Sequence, residues 1–573
     1  MRFTQPLPAL LLSVTLLSGG CAGLTGQDKA VEPDGTPPDS PYVTAFGSRL
    51  YRDGEVVQLR AINFGNGYLE ASQEIVRGTH HSAADLARVT ELGFDTIRFA
   101  MNGNWYERDR AGFLTWLDGN IALARHAGLG VILDLHVPIG GFWLDSGSDE
   151  ADFSLWSDAS LRERNITLWQ DVAARYADEP AITGYDLLNE PVTLDEDGKQ
   201  WRTFAAELAR AIRAVDEHHL IVLEHVYGTD GRYGSPGEDA QFLLDDTNVL
   251  YDTHFRSPVE FTQQGTRWRG TALGDGGRYP DPDVLRPTGQ HRLDVPSRVA
   301  SANLPDGTTD WAIYASRWQT PAGRKLVAAV PRMTVRGPLG GRIHFDDLVV
   351  RERLPDGSER VLVDDGLDGP TSTGWFDWSS QTAGNTVIAR RVVEDENTDL
   401  MLELRGTGIN TVAGWSNAQH WFRVTPGASY RIEGRMRGEN VRYIAGERGS
   451  AIGFEIEFFA RKNKRTPVVR PRDRDLLAAE LERWTAFGRR HAVPVSVLEI
   501  GLVTSTFEPA GKGGATWLTD VLSLMNEQDR SYGVWAWHDR VTGLYRTPLS
   551  QPVGEPNREM LRVIEEAHAG ASN

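Results

Sequence analysis

Cysteine is almost missing from this sequence: 573 residues hold one, Cys21. No internal disulfide can form, so the fold must be held by its own core. Positive charge is also in deficit, with 60 Lys and Arg against 79 Asp and Glu, a formal charge of -19 and a pI near 5.3. That balance argues against nucleic acid, because neutralising phosphates needs clustered cations that acids do not outnumber. A neutral, polyhydroxylated partner fits better. There is no His/Cys cluster at zinc spacing and no internal repeat. No metal or organic cofactor is expected.

The N-terminus has the form of an export signal: Arg2, a Leu-rich stretch over 7–17, then small residues up to Cys21. The stretch is too short to remain as a membrane-spanning helix. Ser18-Gly19-Gly20-Cys21 resembles a bacterial lipoprotein cleavage box, which implies lipidation of Cys21, although Leu17 stands four residues before the cysteine where three is preferred. The plainer alternative is a secretory signal with an incidental cysteine. Residues 1–21 are therefore expected to be the signal and 22–41, rich in Gly, Pro and Asp, a flexible tether. The expected location is extracytoplasmic, as a cell-surface or periplasm-facing lipoprotein or a secreted protein. The membrane would then be touched only through the lipid.

The length calls for a large domain plus a further module. From Val56 onward, short apolar runs at 58–64, 96–100, 131–136, 183–189, 220–224 and 249–254 alternate with amphipathic stretches at 83–92, 113–127, 162–176 and 202–215. Continuously apolar strands separated by helices read as βα units around a parallel sheet. The rhythm breaks near Tyr279-Pro280-Asp281-Pro282 and returns after Arg474, with helices at 476–490 and 517–526 and strands at 495–499 and 532–537. Six strands and two more make a (β/α)8 barrel, an α/β fold. Its expected span is 42–290 and 466–570. Residues 291–465, with short alternating runs split by Gly, Pro and Asp, read as an all-β sandwich inserted after strand 6.

Active sites of such barrels form at the C-terminal ends of the strands. Polar residues ending the apolar runs are Asn63, Arg98, His136, Asn189, Glu190, His254 and Glu499, with Trp535 and Trp537 at the last strand. Two carboxyl groups are what glycosidic cleavage requires, one to protonate the departing oxygen and one to attack or stabilise the sugar carbon. The 17 Trp residues suit pyranose faces, though most Trp in any protein fill core.

Six ordered segments, Leu59-Arg60-Ala61-Ile62-Asn63, Gly93-Phe94-Asp95-Thr96-Ile97-Arg98, Leu133-Asp134-Leu135-His136, Leu187-Leu188-Asn189-Glu190-Pro191, Tyr251-Asp252-Thr253-His254 and Leu498-Glu499-Ile500-Gly501, resemble glycoside hydrolase family 5, the cellulase family. The resemblance covers the barrel segments, roughly 42–290 and 466–560. It implies a retaining hydrolase of β-glycosidic bonds, acting on a polysaccharide or oligosaccharide and most readily a β-glucan, with Glu190 as acid/base and Glu499 as nucleophile. Arg98 would hold Glu499 ionised, and Glu190, less compensated, would keep its proton longer. His254 would orient one of the pair, and Asn189 would contact the sugar 2-hydroxyl. His136 would line the subsite of the cleaved sugar, with Trp535 or Trp537 stacked beneath it.

One departure stands out. The family commonly has Tyr two residues after the strand-6 histidine, and this chain has Arg256. If Arg256 fills that place, a second cation pushes Glu499 towards its charged form. The inserted module resembles carbohydrate-binding sandwiches in Phe345-Asp346-Asp347-Leu348 and Val424-Thr425-Pro426-Gly427-Ala428-Ser429-Tyr430, with Trp375, Trp378, Trp415 and Trp421 either as sugar platforms or as core residues. It would bind sugar or wall off one end of the cleft. Mannanase and exo-glucosidase activity within the same family remain alternatives, and so does a non-catalytic surface glycan-binding lipoprotein.

Overall fold

The computed structural model describes residues 33, 35–66, 81–144, 151–233, 240–268, 271–272, 276–287, 293–323, 325–337, 339–367, 375–380, 386–394, 397–405, 412–417, 419–443, 451–461, 469–507, 512–546 and 555–570. The signal, Cys21 and the first part of the tether lie outside the described residues. Among the described residues no helix is long and apolar enough to cross a membrane.

Eight parallel strands close into a barrel in sequence order: β1 Arg60–Phe64, β2 Thr96–Asn102, β3 Gly130–Val137, β4 Ile182–Asp186, β5 Leu220–Glu224, β6 Val249–Phe255, β7 Val495–Ile500 and β8 Tyr532–Val534. Helices between them present apolar stripes to the outside of the barrel. In Lys199–Arg213 the buried residues Trp201, Phe204, Ala205, Leu208, Ala209 and Ile212 recur at three- and four-residue steps, the period of one helix face. Asp109, Asp158 and Asp473 cap three of the helices by accepting main-chain N–H groups.

Because strand side chains alternate, every second residue points into the barrel. The lower interior layer is apolar, with Ala61, Ile132, Leu220, Val222, Leu250 and Leu498 packed together. Leu50 joins it from a small three-stranded sheet, Thr44–Phe46, Arg49–Arg52 and Glu55–Val57, which plugs the N-terminal end, and so does Val43, the residue just before that sheet. One step further along each strand the inward residues become Asn63, Arg98, Asp134, Asp186, Glu224 and Asp252, all buried. The barrel thus changes from oil to charge within one layer.

Strand 4 is shorter than its apolar run suggests. It ends at Asp186, not at 189, because Asn189 donates its N–H to Leu135 O at 3.1 Å and Glu190 turns into the left-handed region at φ 41°. Strand 8 likewise ends at Val534, before Trp535 and Trp537.

Between β6 and β7 an antiparallel pair, Asp281–Pro287 with Val469–Arg472, leads out of the barrel. Arg472, fully buried, donates to Gly276 O at 2.6 Å and to Glu260 Oε1 at 3.1 Å, which fastens this stalk to the chain after β6. Beyond it lie two six-stranded antiparallel sheets. One orders Leu293–Ala300, Ala451–Arg461, Leu326–Arg336, Val412–Asn417 and Trp375–Ser380; the other orders Gly307–Ala315, Ser429–Tyr443, Leu339–Arg353, Asn397–Arg405 and Thr386–Glu394. A short strand joins each sheet off that path. Phe345, Phe454, Ile456, Trp375, Trp415 and Tyr430 share the core of this module.

Three of the four tryptophans considered as sugar platforms are buried. Trp375 and Trp415 lie in the sandwich core, and Trp421 packs with Phe459 and Leu285 where the stalk meets the first sheet. Only Trp378 is partly open, with the Arg332 guanidinium 5.2 Å from its ring centroid. Which face of a two-sheet module is covered depends on the partner sheet, which an alternating run of residues does not reveal.

Candidate active site

Arg98 stands on β2 with no side-chain exposure. A buried guanidinium costs several kcal/mol unless its donors are met, and here all five N–H groups have acceptors. Nε donates to Asp186 at 2.9 Å, Nη1 to Asn63 at 3.2 Å and Glu499 at 2.9 Å, and Nη2 to Asn189 at 2.9 Å and Glu224 at 3.0 Å. Asp134 adds a contact to Nη2 at 3.1 Å. Burial opposes the charge, yet Asp134, Asp186, Glu499 and Glu224 hold it well above the usual arginine range. Asp186 is displaced the other way: burial pushes its carboxyl well up despite Arg98.

Glu499 reaches the pocket through an irregularity in β7. Asp252 pairs with Ser496, but His254, two residues on, pairs with Glu499, three residues on. That extra residue is a β-bulge, which re-aims side chains. It turns Glu499 towards the same opening as the inward residues before it. Gly533 on β8 makes room beside it, since a Cβ there would lie 2.3 Å from Leu498 O and 3.2 Å from Asn63 Nδ2. Asn63 uses that space to donate to Leu498 O at 2.8 Å and Val534 O at 3.1 Å. It ties three strands together beneath the pocket.

Arg256 occupies the place weighed for it. Its Nη2 lies 2.6 Å from Glu499 Oε2, and its guanidinium carbon is 6.0 Å from the Trp535 ring centroid. Gly501 leaves the room, because a Cβ there would stand 2.6 Å from Arg256 Nη1. Burial alone would raise the Glu499 pKa, but His254, Arg256 and Arg98 outweigh it and hold the carboxylate below its usual value.

Glu190 faces Glu499. One oxygen of each and a ring nitrogen of His254 all lie within 4.8 Å of one another. His254 Nδ1 is 2.9 Å from Glu190 Oε1 and 3.5 Å from Glu499 Oε2, and the Tyr233 hydroxyl donates to Glu190 Oε1 at 3.3 Å. Burial disfavours the imidazolium, but Glu224, Glu499 and Glu190 hold His254 well above the usual histidine value. Neither carboxyl is sealed off: the Glu190 and Glu499 side chains keep 7% and 4% exposure.

Several tryptophans work on this site from behind. The Trp143 indole donates to Glu190 O, Trp156 to Val192 O and Trp169 to Leu187 O, while Trp201 donates to Glu224 O, at 2.8 to 3.1 Å. Their flat faces lie in the core and their N–H groups hold the segment after β4 and the end of β5.

His136 and Trp535 stack at 5.4 Å between ring centroids, tilted by 21°, and Asp134 Oδ2 orients the imidazole from 2.6 Å. The choice between the two tryptophans is thereby settled: Trp535 borders the pocket, whereas Trp537 belongs to the core and lies 3.3 Å from Asp85 through its indole nitrogen. Asn189 points its Oδ1 at Arg98.

Glu224, Asp134, Asp186 and Asp252 went unremarked in the sequence reading as site residues. The signal was present, since each is a carboxyl in an inward position of an apolar strand; Glu224 even ends its run. Two donor sets, Glu190/His254/Glu499 and Glu224/Asp252/His254, are compact enough for a cation. The positive charge between these carboxyls is already supplied by Arg98, Arg256 and His254, and two guanidiniums on Glu499 would repel a divalent ion.

A family model described as cellulase (glycosyl hydrolase family 5) matches residues 52–295. Endoglucanase C of Acetivibrio thermocellus is 27% identical over 196 residues, 33% of this chain and 54% of that protein. Cellodextrinase A of Ruminococcus flavefaciens is 27% identical over 191 residues, 32% of this chain and 54% of its own. The chain spans about half the length of these curated relatives. Among solved structures, Thermotoga maritima Cel5A in complex with mannotriose aligns over 89% of this chain and 97% of its own at 15% identity, with a TM-score of 0.41. The family model runs across the first six barrel strands, and the closed barrel adds β7 with Glu499 opposite Glu190; over residues 52–295 the barrel is similar to glycosyl hydrolase family 5, and a β-sandwich is set in after its sixth strand.

Proposed function

We propose that the protein hydrolyses β-glycosidic bonds of a β-glucan, in the manner of an endoglucanase, by double displacement with retention. The observation that carries this reading is the Glu190–Glu499 pair, with oxygens within 4.8 Å across one barrel mouth. Retaining enzymes keep their carboxyl groups roughly 5 to 5.5 Å apart, and inverting ones leave about 6.5 to 9.5 Å for a water.

In the first step Glu499 attacks the anomeric carbon, the bond to the departing oxygen breaks, and Glu190 gives that oxygen its proton. In the second step Glu190 takes a proton from water, the resulting hydroxide equivalent attacks the anomeric carbon, and Glu499 leaves as carboxylate. Arg98 and Arg256 favour the ionised nucleophile. Asn189 hydrogen-bonds the 2-hydroxyl of the sugar, and His136 with Trp535 borders its ring. The names of the matched relatives, endoglucanase and cellodextrinase, support a glucan as substrate.

The N-terminal sequence supports export with a lipid on Cys21, which would hold the barrel at a membrane surface. Replacing Cys21 by Ser should release the protein from the membrane fraction, and unchanged fractionation would remove the anchor from the reading. For the activity, the protein is incubated with β-glucans and mannans while reducing ends are assayed and the anomer first formed is followed by NMR. Release of β-anomer from a glucan supports the reading. Release of α-anomer first would show inversion, and binding without release would make the protein a glycan receptor.

A further inference from the structure

Glu224 ends β5 with no exposure, and its two carboxyl oxygens serve different parts of the site. Oε2 accepts the main-chain N–H of Glu190 at 2.8 Å. Oε1 accepts Arg98 Nη2 at 3.0 Å and faces His254 Nε2 at 3.3 Å. The other ring nitrogen of that histidine meets the Glu190 carboxyl at 2.9 Å. Glu190 is therefore reached from Glu224 twice, through the backbone and through the imidazole.

The backbone contact has strain to work against. Glu190 sits at φ 41°, a left-handed conformation that a non-glycine residue adopts only when its surroundings hold it there. With its N–H on Glu224 and its carbonyl on the Trp143 indole, the turn is held from both sides. The imidazole contact acts through charge: with Glu224 3.3 Å from Nε2 and Glu190 2.9 Å from Nδ1, the ring lies between two carboxyls that favour its doubly protonated form, in which Nδ1–H faces Glu190.

We propose that Glu224 is a positioning residue for the proton-transferring half of the catalytic pair, holding the Glu190 turn and the His254 ring without touching substrate. This rests on the reading of Glu190 as acid/base. Asp252 is a poorer candidate for the same duty. Its Oδ2 is 3.5 Å from His254 Nε2, and its Oδ1 is taken by Ser496 Oγ and Leu498 N–H. The nucleophile depends less on Glu224: Arg98 keeps four other acceptors, and Glu499 keeps both guanidiniums.

The test compares two substrates with the same sugar and different leaving groups. Dinitrophenyl β-cellobioside departs without a proton, whereas a cello-oligosaccharide needs one, so kcat/KM on the two separates proton transfer from nucleophilic attack. Glu224→Gln keeps the size of the side chain and removes its charge. It should lower kcat/KM on the oligosaccharide roughly 10- to 100-fold, the scale of one charged hydrogen bond, and on the dinitrophenyl substrate by no more than about threefold. Thermal melting checks that the variant folds; if it does not, Glu224→Asp, which keeps the charge and loses reach, is read in the same ratio. Equal loss on both substrates in a folded variant, or no loss on either, overturns the proposal. A wild-type protein inert on both substrates would instead remove the hydrolase reading itself, and this role with it.

Discussion

Arg256 Nη2 lies 2.6 Å from Glu499 Oε2, so the nucleophile candidate carries one guanidinium on each of its oxygens. Losing Arg256 should therefore be felt in acid. Its cation helps keep the Glu499 carboxyl below its ordinary pKa; without it that pKa rises, and the acidic limb of the kcat/KM profile moves to higher pH. At neutral pH Arg256→Gln should cost about 1.5–3 kcal/mol, the worth of a charged hydrogen bond. An unmoved acidic limb would show that the contact does not set the ionisation of Glu499.

Glu190 and Glu499 should be separable by chemistry. Glu499→Gln is expected to abolish hydrolysis of every substrate. Glu190→Gln should lower the rate on natural glucan by roughly 10² to 10⁴ while sparing substrates whose leaving groups need no proton. Steady-state kinetics on both classes checks it, and full activity of Glu499→Gln would refute the assignment.

Trp535 and Trp537 are two residues apart and should respond in opposite ways. Trp535→Ala, at the pocket against His136, should raise KM or lower kcat with little change in melting temperature. Trp537→Ala, in the core, should cost about 3–5 kcal/mol of stability. Denaturant unfolding alongside kinetics distinguishes them.

At the opposite end of the barrel Asp216 accepts from Tyr185 at 2.7 Å and pairs with His219 at 2.6 Å. Burial opposes its ionisation, but these partners draw its pKa down to about 2. A depressed carboxyl contributes stability above its unfolded pKa near 4, and that stability is lost as pH falls through the folded value. Asp216→Asn should cost about 2 kcal/mol near neutrality, with the gap to wild type closing between about pH 4 and pH 2. A pH-independent gap would mean that the loss is one of packing.

Most of the barrel was legible in the chain because both of its periods are local. Strands buried on two faces read as apolar runs, helices show three- and four-residue steps, and the break near residue 280 marks where the rhythm stops. The turn at Glu190 was not legible, since leaving the ladder at Asp186 depends on a carboxyl from β5 and an indole after β3. Whether Trp375, Trp415 and Trp421 are platforms or core was not decidable from the chain for the same reason: the covering surface comes from another sheet.

The sequence by itself determined the identity of the two glutamates, the arginine on β2, the histidines on β3 and β6 and the order in which eight strands would bring them round, because these are written in spacing along one chain. Tertiary structure alone decided that a bulge turns Glu499 to the opening, that Arg256 reaches it, that Trp535 borders the pocket in place of Trp537, and that Glu224 braces Glu190. Each of those depends on distances across a closed ring of strands, and closure is a property of all eight together.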